Sequence, residues 1–367
     1  MNTVSMFLCG DVMTGRGIDQ ILPHPGDPTL YEGYVVDAKE YVHLAEACNG
    51  PIPQPVGFDY IWGDALDELR KAQPDARIIN LETAVTTSDQ HYPHKEVCYR
   101  MNPGNIGCIT SAGIDCCCLG NNHVLDWAAA GLKETLAVLD RAGLAHCGAG
   151  LKLPQARRPA VLECLRRGRI LVFSLASPTS GVPADWAAAD DKPGVNLLPD
   201  MSDDAANCFG EAVRRIKQPL DIVVTSIHWG SNWGYEIEDE EIRFAHRLIE
   251  SGIDVVYGHS SHHVKALEMY RGHLILYGCG DFINDYEGIG GFHSFRPDLT
   301  LMYMISVDLS DGRLVDGRLV PMQIKNFRLN RTSRADAQWM RELLMSQGSG
   351  SGISLDLQSD NSMILRW

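Results

Sequence analysis

Ile253-Asp254-Val255-Val256-Tyr257-Gly258-His259-Ser260-Ser261-His262-His263 begins as an apolar run and ends in a cluster of imidazoles. The β-branched and aromatic residues closed by Gly258 predict a buried strand, and the small residues beyond it let the backbone turn tightly. Histidines delivered at a strand exit can hold a metal ion or move protons. Two other apolar runs end in the same way. Residues 221–227 lead into His228-Trp229-Gly230, and residues 115–120 lead into Asn121-Asn122-His123. A lone loop histidine is ordinary surface filler, whereas sets of them at successive strand exits read as parts of one site.

Outward from these runs, strands and helices alternate. Residues 3–10 form an apolar run that delivers Asp11 at its end, and residues 77–82 form another that ends in Asn80-Leu81-Glu82. Polar groups beyond the C-terminal ends of strands are where α/β proteins keep their chemistry. Helical spacing covers 65–72, stopped by Pro74, then 128–142 and 240–251. From Lys265 onward the rhythm changes to hairpin strands at 265–270, 274–277, 301–309 and 313–320, with Arg271-Gly272 and Asp311-Gly312 as turns. A helix over 335–345, the connection Gly348-Ser349-Gly350-Ser351-Gly352 and a last hairpin of 353–357 with 362–367 complete the chain. Residues 17–60 and 177–210 read as long irregular connections, of the kind that form lids or substrate walls. The fold class is α/β (α+β), with two layers of mixed sheet flanked by helices and no internal repeat.

A net charge of −15 without a basic run argues against nucleic acid, which draws on clustered Lys and Arg. The 11 cysteines include Cys116-Cys117-Cys118, whose side chains must alternate between faces of a strand, a poor basis for a disulfide framework. A reducing cytoplasm is therefore expected. The start, Met1 to Leu8, lacks the basic and long apolar parts of a signal peptide, and no apolar run reaches membrane-spanning length. No membrane association is expected.

Asp and Glu supply anionic oxygens, Asn a neutral carbonyl and His a neutral nitrogen, a donor set suited to a divalent ion. In their order along the chain, Gly10-Asp11, Asn80-Leu81-Glu82, Asn121-Asn122-His123, His228-Trp229-Gly230 and Gly258-His259 through His262 resemble the CapA family, with Asp281-Phe282-Ile283-Asn284 as a looser sixth match. That family is also called the poly-γ-glutamate biosynthesis or PgsA-like family, and its fold is a calcineurin-like metallophosphoesterase variant, a two-layer mixed β-sandwich flanked by helices. The resemblance spans 1–330 as one catalytic domain, from about residue 3, with 331–367 expected as a helix and hairpin packed on it. It implies Asp11, Glu82, Asn122, His228, His259 and His262 as metal-shell residues, His123 as a proton donor, and Asp126 as the group that orients His123. Asp11-Val12-Met13 departs from the Asp-x-His opening of ordinary phosphoesterases, so one divalent ion is expected rather than two. Calcium, manganese or magnesium fit best, with zinc or iron as alternatives and no organic cofactor.

A single ion beside His/Asp pairs suits proton transfer at a carbon next to a carbonyl. The CapA-like fold is used by enzymes that epimerise the C-terminal tryptophan of lasso-peptide precursors, and this chain is similar to that type. The resemblance thus implies a metal-dependent peptide epimerase acting on a precursor peptide, with Asp11, His123, Asp126 and His293 as acid/base groups. Arg16 and Arg100 are candidates to bind a substrate carboxylate. Trp229, Trp233 and Tyr235, with Trp127, are candidate walls for a bulky side chain. The alternatives are a metal-dependent phosphoesterase or hydrolase, and a non-catalytic component of polyglutamate or capsule assembly.

Overall fold

A computed structural model of the chain describes residues 2–93, 95–164, 168–348 and 352–367. Along Thr3–Cys9 the side chains alternate between two cores, Val4, Met6 and Leu8 on one side and Phe7 and Cys9 on the other. That period of two is the strand's own geometry, and here both faces are covered. Cys116–Cys118 behaves alike: Cys116 and Cys118 join the first core and Cys117 the second. Cys116, Cys117 and Cys118 form no disulfide.

Among the described residues the strands form two principal sheets. The larger has 11 strands, with Asp281–Ile283, Asp11–Val12, Ala76–Leu81, Thr3–Cys9, Leu299–Asp308 and Leu314–Ile324 as consecutive neighbours. Cys116–Cys118 pairs with Ala76–Leu81 in parallel. The smaller sheet has 6 strands, in which Gly168–Ala176, Ile222–His228, Val255–His259 and His273–Leu276 run parallel. Val4, Leu8, Ile78 and Tyr303 of the first sheet meet Ile170, Val224, Val255 and Tyr257 of the second in a shared core. The helix Ala128–Ala142 covers the outer face of the first sheet through Leu132, Leu136 and Leu139, beside Ile79 and Leu81. The helices Asp203–Arg214 and Asp239–Glu250 cover the second, with Val213, Phe244 and Leu248 against Val223 and Val256. Two mixed sheet layers flanked by helices is the architecture expected from the alternation of runs.

Two expected irregular stretches contain helices. Lys39–Asn49 lies within 17–60 and buries only Tyr41, Val42 and Ala45, a stripe too narrow to announce itself between Pro-rich neighbours. Asp203–Arg214 starts inside 177–210 and buries Ala206, Gly210 and Val213, small residues that allow close packing but give a weak apolar period. The strand Ala160–Cys164 was not expected either. At the C-terminal end, Arg334–Gln347 is helical and the hairpin Ser354–Leu357 with Met363–Arg366 extends the large sheet by pairing with Leu314–Ile324. In the connection before that hairpin, 349–351 lie outside the described residues. No helix among the described residues is long and apolar enough to cross a membrane.

Candidate functional site

The register of the sheets brings the polar strand ends together. Asp11 stands beside Asn80 on one side and Asp281 on the other, and His228 stands opposite His259. Gly10 allows the approach of the Asp281 strand, since a Cβ there would lie 1.9 Å from the Gly280 carbonyl oxygen. After His259 the chain turns through Ser260 at φ 103°, a region costly for a side chain, and the Ser260 N–H donates to Asp11 Oδ2 at 3.1 Å. Asn80 Nδ2 donates to Asp11 Oδ1 at 2.7 Å, and Asn121 Nδ2 donates to Asn80 Oδ1 at 3.0 Å. Asp11 is thus held from several sides before any ligand arrives.

Asp11, His228 and His259, all fully buried, offer donor atoms within 4.8 Å of one another. The His228 and His259 Nδ1 atoms face each other at 2.7 Å, and His228 Nε2 is 3.1 Å from Asn122 Oδ1 and 3.8 Å from Glu82 Oε1. Burial, then the charge of Asp281, pushes the Asp11 carboxyl up to about 7. Burial and Asp11 likewise push Glu82 well above the carboxylate range. Burial and the neighbouring His259 keep His228 neutral, and burial pushes His259 down to about 3. Neutral imidazoles beside carboxyls that resist ionising without a counter-charge are the chemistry of a cation site. These residues fit a divalent ion, with Asp11, His228 and His259 at its core and Glu82 and Asn122 in reach.

His123 flanks this cluster. Its Nδ1 is 2.6 Å from Asp126 Oδ2, which also accepts from the Tyr99 N–H at 2.6 Å. That arrangement puts the ring proton on Nδ1 and leaves Nε2, 3.7 Å from Glu82 Oε1, as the basic nitrogen. Burial pushes His123 down to about 4, with Lys95 adding to the effect against Asp126. The Lys95 ammonium contacts Asp126, the Asn122 carbonyl and, at 3.1 Å, His123 Nδ1.

The remaining expected residues distribute differently. His262 is outside the donor cluster: its Nδ1 faces Asp281 Oδ1 at 2.9 Å. Burial lowers its pKa, but Asp281 and then Asp11 outweigh that and raise it overall. His293 does not join the site. It is exposed in the short turn His293–Phe295 and lines, with Cys48 and Arg296, a cavity that shares Tyr286, Ile289 and Pro297 with the one beside His262. Arg16 is not free for a substrate carboxylate, because it is buried and paired with Asp285 at 2.5 Å and Glu32 at 2.9 Å. Arg100 is engaged as well, stacking on Trp127 at 3.9 Å and donating to the Ser88 and Asp27 carbonyls. Trp229 is a core residue, 2% exposed, whose Nε1 donates to the Tyr277 carbonyl at 2.8 Å. Tyr235 packs edge-on against His263 at 4.6 Å. Trp233 does line a cavity, beside His262, Tyr286 and Phe292.

Several members of the site were given no chemical role in the sequence reading, Asp281 having entered only as part of the looser sixth match. Asp281 closes a second Gly-Asp pair, Gly280-Asp281, matching Gly10-Asp11, and that repetition was a usable signal. Ser226 sits two residues before His228 on the same strand face, and its Oγ is 2.6 Å from His259 Nε2. Tyr99 and Tyr286 share a hydroxyl contact of 2.8 Å between the His123 and His262 rings, which they meet edge-on. Lys95 lies in an irregular stretch that carries no such signal.

Known proteins give this geometry a context. The chain is 46% identical to a probable polyglutamine synthesis accessory protein of Mycobacterium tuberculosis over 98% of its length and 95% of that protein. It is 25% identical to the PGA biosynthesis protein CapA of Bacillus subtilis over 77% of its length and 64% of that one. A crystal structure of a phosphatase from Mycoplasma pneumoniae superposes with a TM-score of 0.50 at 13% identity, covering 88% of this chain and 94% of that one, a likeness of fold. Residues 5–286, which include every strand end described above, match the model of the bacterial capsule synthesis protein PGA_cap family, and the chain belongs to that family.

Proposed function

We propose that this chain is a single-metal hydrolase of phosphoester bonds that serves polyglutamate or capsule assembly. The observation that carries the reading is the convergence of Asp11, His228 and His259 beside the His123–Asp126 pair. A divalent ion held there would supply positive charge for the oxygens of the ester in the transition state. His123 Nε2 takes a proton from the attacking water, Asp126 stabilises the imidazolium that forms, and Asn80 and Ser260 keep Asp11 oriented. The metallophosphoesterase-like fold and the names of the relatives support the two halves of the proposal separately.

Manganese-dependent turnover of 4-nitrophenyl phosphate by the purified chain, lost on chelation and in His228→Ala, is the expected result. Turnover that survives His228→Ala unchanged would refute the assignment.

Peptide epimerisation, the expectation from the resemblance, keeps one observation in its favour. His123–Asp126 and His262–Asp281 are two imidazole–carboxylate pairs, as a two-base inversion requires. The relatives described above are named for polyglutamine synthesis and PGA biosynthesis, which favours a role in polyglutamate assembly over epimerisation of a precursor peptide. Deuterium from solvent appearing at the α-carbon of a peptide ending in tryptophan would reverse that preference.

A further inference from the structure

Tyr99 and Tyr286 meet through their hydroxyls at 2.8 Å, and the direction of that bond follows from what surrounds each ring. Tyr99 is fully buried, and among the described residues its hydroxyl has Tyr286 as its one partner. Were Tyr286 the donor, the Tyr99 hydrogen would be buried with no acceptor and would bear the full desolvation penalty. Tyr99 therefore donates and Tyr286 accepts, which turns the Tyr286 hydrogen away from the pair. Among the described residues that hydrogen has only the Met13 sulfur, at 3.8 Å, and a thioether is a weak acceptor.

The place of this hydroxyl gives the spare hydrogen a use. Met13 stands two residues after Asp11. The Tyr286 ring meets the His262 ring edge-on at 5.2 Å, and the Tyr99 ring meets the His123 ring in the same way at 4.4 Å. The hydroxyl pair thus spans the gap between the two imidazoles, one 3.7 Å from Glu82 and the other held by Asp281, the strand neighbour of Asp11. Tyr286 is half-buried and lines the cavity of about 170 Å3 beside His262, so a ligand can reach it. Arg16 fixes both rings from behind, with its Cζ 4.6 Å from the centre of Tyr99 and 5.6 Å from that of Tyr286. It also pairs with Asp285, the residue before Tyr286, and holds φ 48°, a conformation costly for a side chain. A hydroxyl held this firmly needs no reorganisation to meet developing charge.

We propose that Tyr286 is a further catalytic residue, whose hydroxyl donates a hydrogen bond to an oxygen of the phosphoryl group held at the ion. The proposal rests on the hydrolase reading above for the presence of that group. The phenol is neutral, so its bond strengthens as negative charge grows on the phosphoryl oxygens toward the transition state. Tyr99, donating into the same oxygen from behind, polarises the Tyr286 hydroxyl and makes it the better donor. No covalent bond is made or broken at either tyrosine.

Tyr286→Phe and Tyr99→Phe/Tyr286→Phe, made in the full chain, test this. The single variant strands the Tyr99 hydrogen, so its urea midpoint should fall, and the double variant, with neither hydroxyl left, should recover it. Turnover should not follow stability. Removing one oxyanion donor costs roughly 100-fold or more in kcat. Both variants should lose about that factor on 4-nitrophenyl phosphate, with KM moved only a few-fold and with the manganese stoichiometry of the wild type. Recovery of kcat in the double variant, or a single variant within a few-fold of the wild type, would overturn the assignment in favour of a structural bond. Loss of manganese from Tyr286→Phe would overturn it too. Orthovanadate, which takes the five-coordinate shape of the transition state, separates this proposal from the hydrolase reading. Calorimetric titration into the manganese-loaded chain should show binding that Tyr286→Phe weakens roughly 10-fold or more. Unchanged affinity would overturn the donor role. If the wild type binds orthovanadate but turns over no ester, the hydrolase reading falls alone and the titration still decides Tyr286. If it binds none, both fall.

Discussion

Ser226→Ala removes one oxygen from the fully buried layer behind the metal donors, and its effect separates tautomer control from simple packing. Ser226 Oγ lies 2.6 Å from His259 Nε2 and also bonds the Cys118 sulfur. For His259 Nδ1 to present a lone pair toward His228 and Asp11, at 2.7 and 3.6 Å, the ring proton must sit on Nε2 and donate to Ser226. Alanine leaves that buried N–H without a partner, a cost of about 1–3 kcal/mol in unfolding free energy. It also frees the other tautomer, in which Nδ1 is protonated and cannot bind an ion. Loss of such a supporting partner weakens metal affinity by roughly 10–100-fold, which equals about 1.4–2.7 kcal/mol. Urea unfolding with and without manganese measures the first term directly and the second as reduced stabilisation by the ion. Calorimetric titration measures the second alone. Nitrogen NMR of histidine-labelled protein should report His259 protonated at Nε2 in the wild type and a mixture in the variant, with Ser226→Thr restoring the wild-type form. A Ser226→Ala protein that binds manganese as tightly as the wild type would refute the tautomer argument, whatever its stability.

Glu68, 1% exposed, accepts from Arg331 at 2.7 Å, Arg318 at 3.0 Å and Lys71 at 3.2 Å. Burial raises its pKa, but the cations outweigh that and hold the carboxyl below its ordinary value. The stability it contributes is present above the unfolded value of about 4.3 and is lost as pH falls through the folded value. Glu68→Gln should therefore lose about 1.5–3 kcal/mol at neutral pH, and the gap to the wild type should close below about pH 4 in urea titrations across pH. Gly10→Ala puts a methyl 1.9 Å from the Gly280 oxygen, so it should cost about 1–3 kcal/mol or more and weaken manganese binding by separating Asp11 from its neighbours. Arg16→Met leaves Asp285 and Glu32 buried without their cation, an expected loss of about 3–5 kcal/mol. Chemical unfolding reads both, and a near-neutral Arg16→Met would show that these acids are satisfied by Tyr41 and the Gly17 N–H alone.

The strand exits were legible because each carries its own evidence. An apolar run of strand length ending in histidine or asparagine needs no partner to be recognised, and His228, His259 and Asn122 were found that way. What escaped depends on pairing between distant segments. Asp281 reaches His262 because its strand lies parallel to Asp11–Val12, and no local pattern encodes that neighbour. Arg16 looked available because a single charge in a connection carries no sign of the two carboxylates that surround it in the fold. His293, placed just after the Asp281–Asn284 match, erred in the opposite direction: the nine residues 284–292, irregular but for one turn and one bend, lead it out to solvent. The helices Lys39–Asn49 and Asp203–Arg214 were missed because their buried faces are narrow or built from small side chains.

The same geometry bears on how many ions the site holds. A second ion beside Asp11 would need donors from the position two residues later and from the histidine beyond His259. The first of these is Met13, 1% exposed, whose sulfur lies 3.8 Å from the Tyr286 hydroxyl, so an apolar side chain and a tyrosine fill that space. The second is His262, whose Nδ1 is held by Asp281 at 2.9 Å and whose Nε2 stays open as a ligand atom. Met13 offers no nitrogen, so the donors on this side of Asp11 are one fewer than the Asp-x-His pattern would supply. Calorimetric titration with manganese should therefore saturate at one ion per chain, and saturation at two would refute the argument.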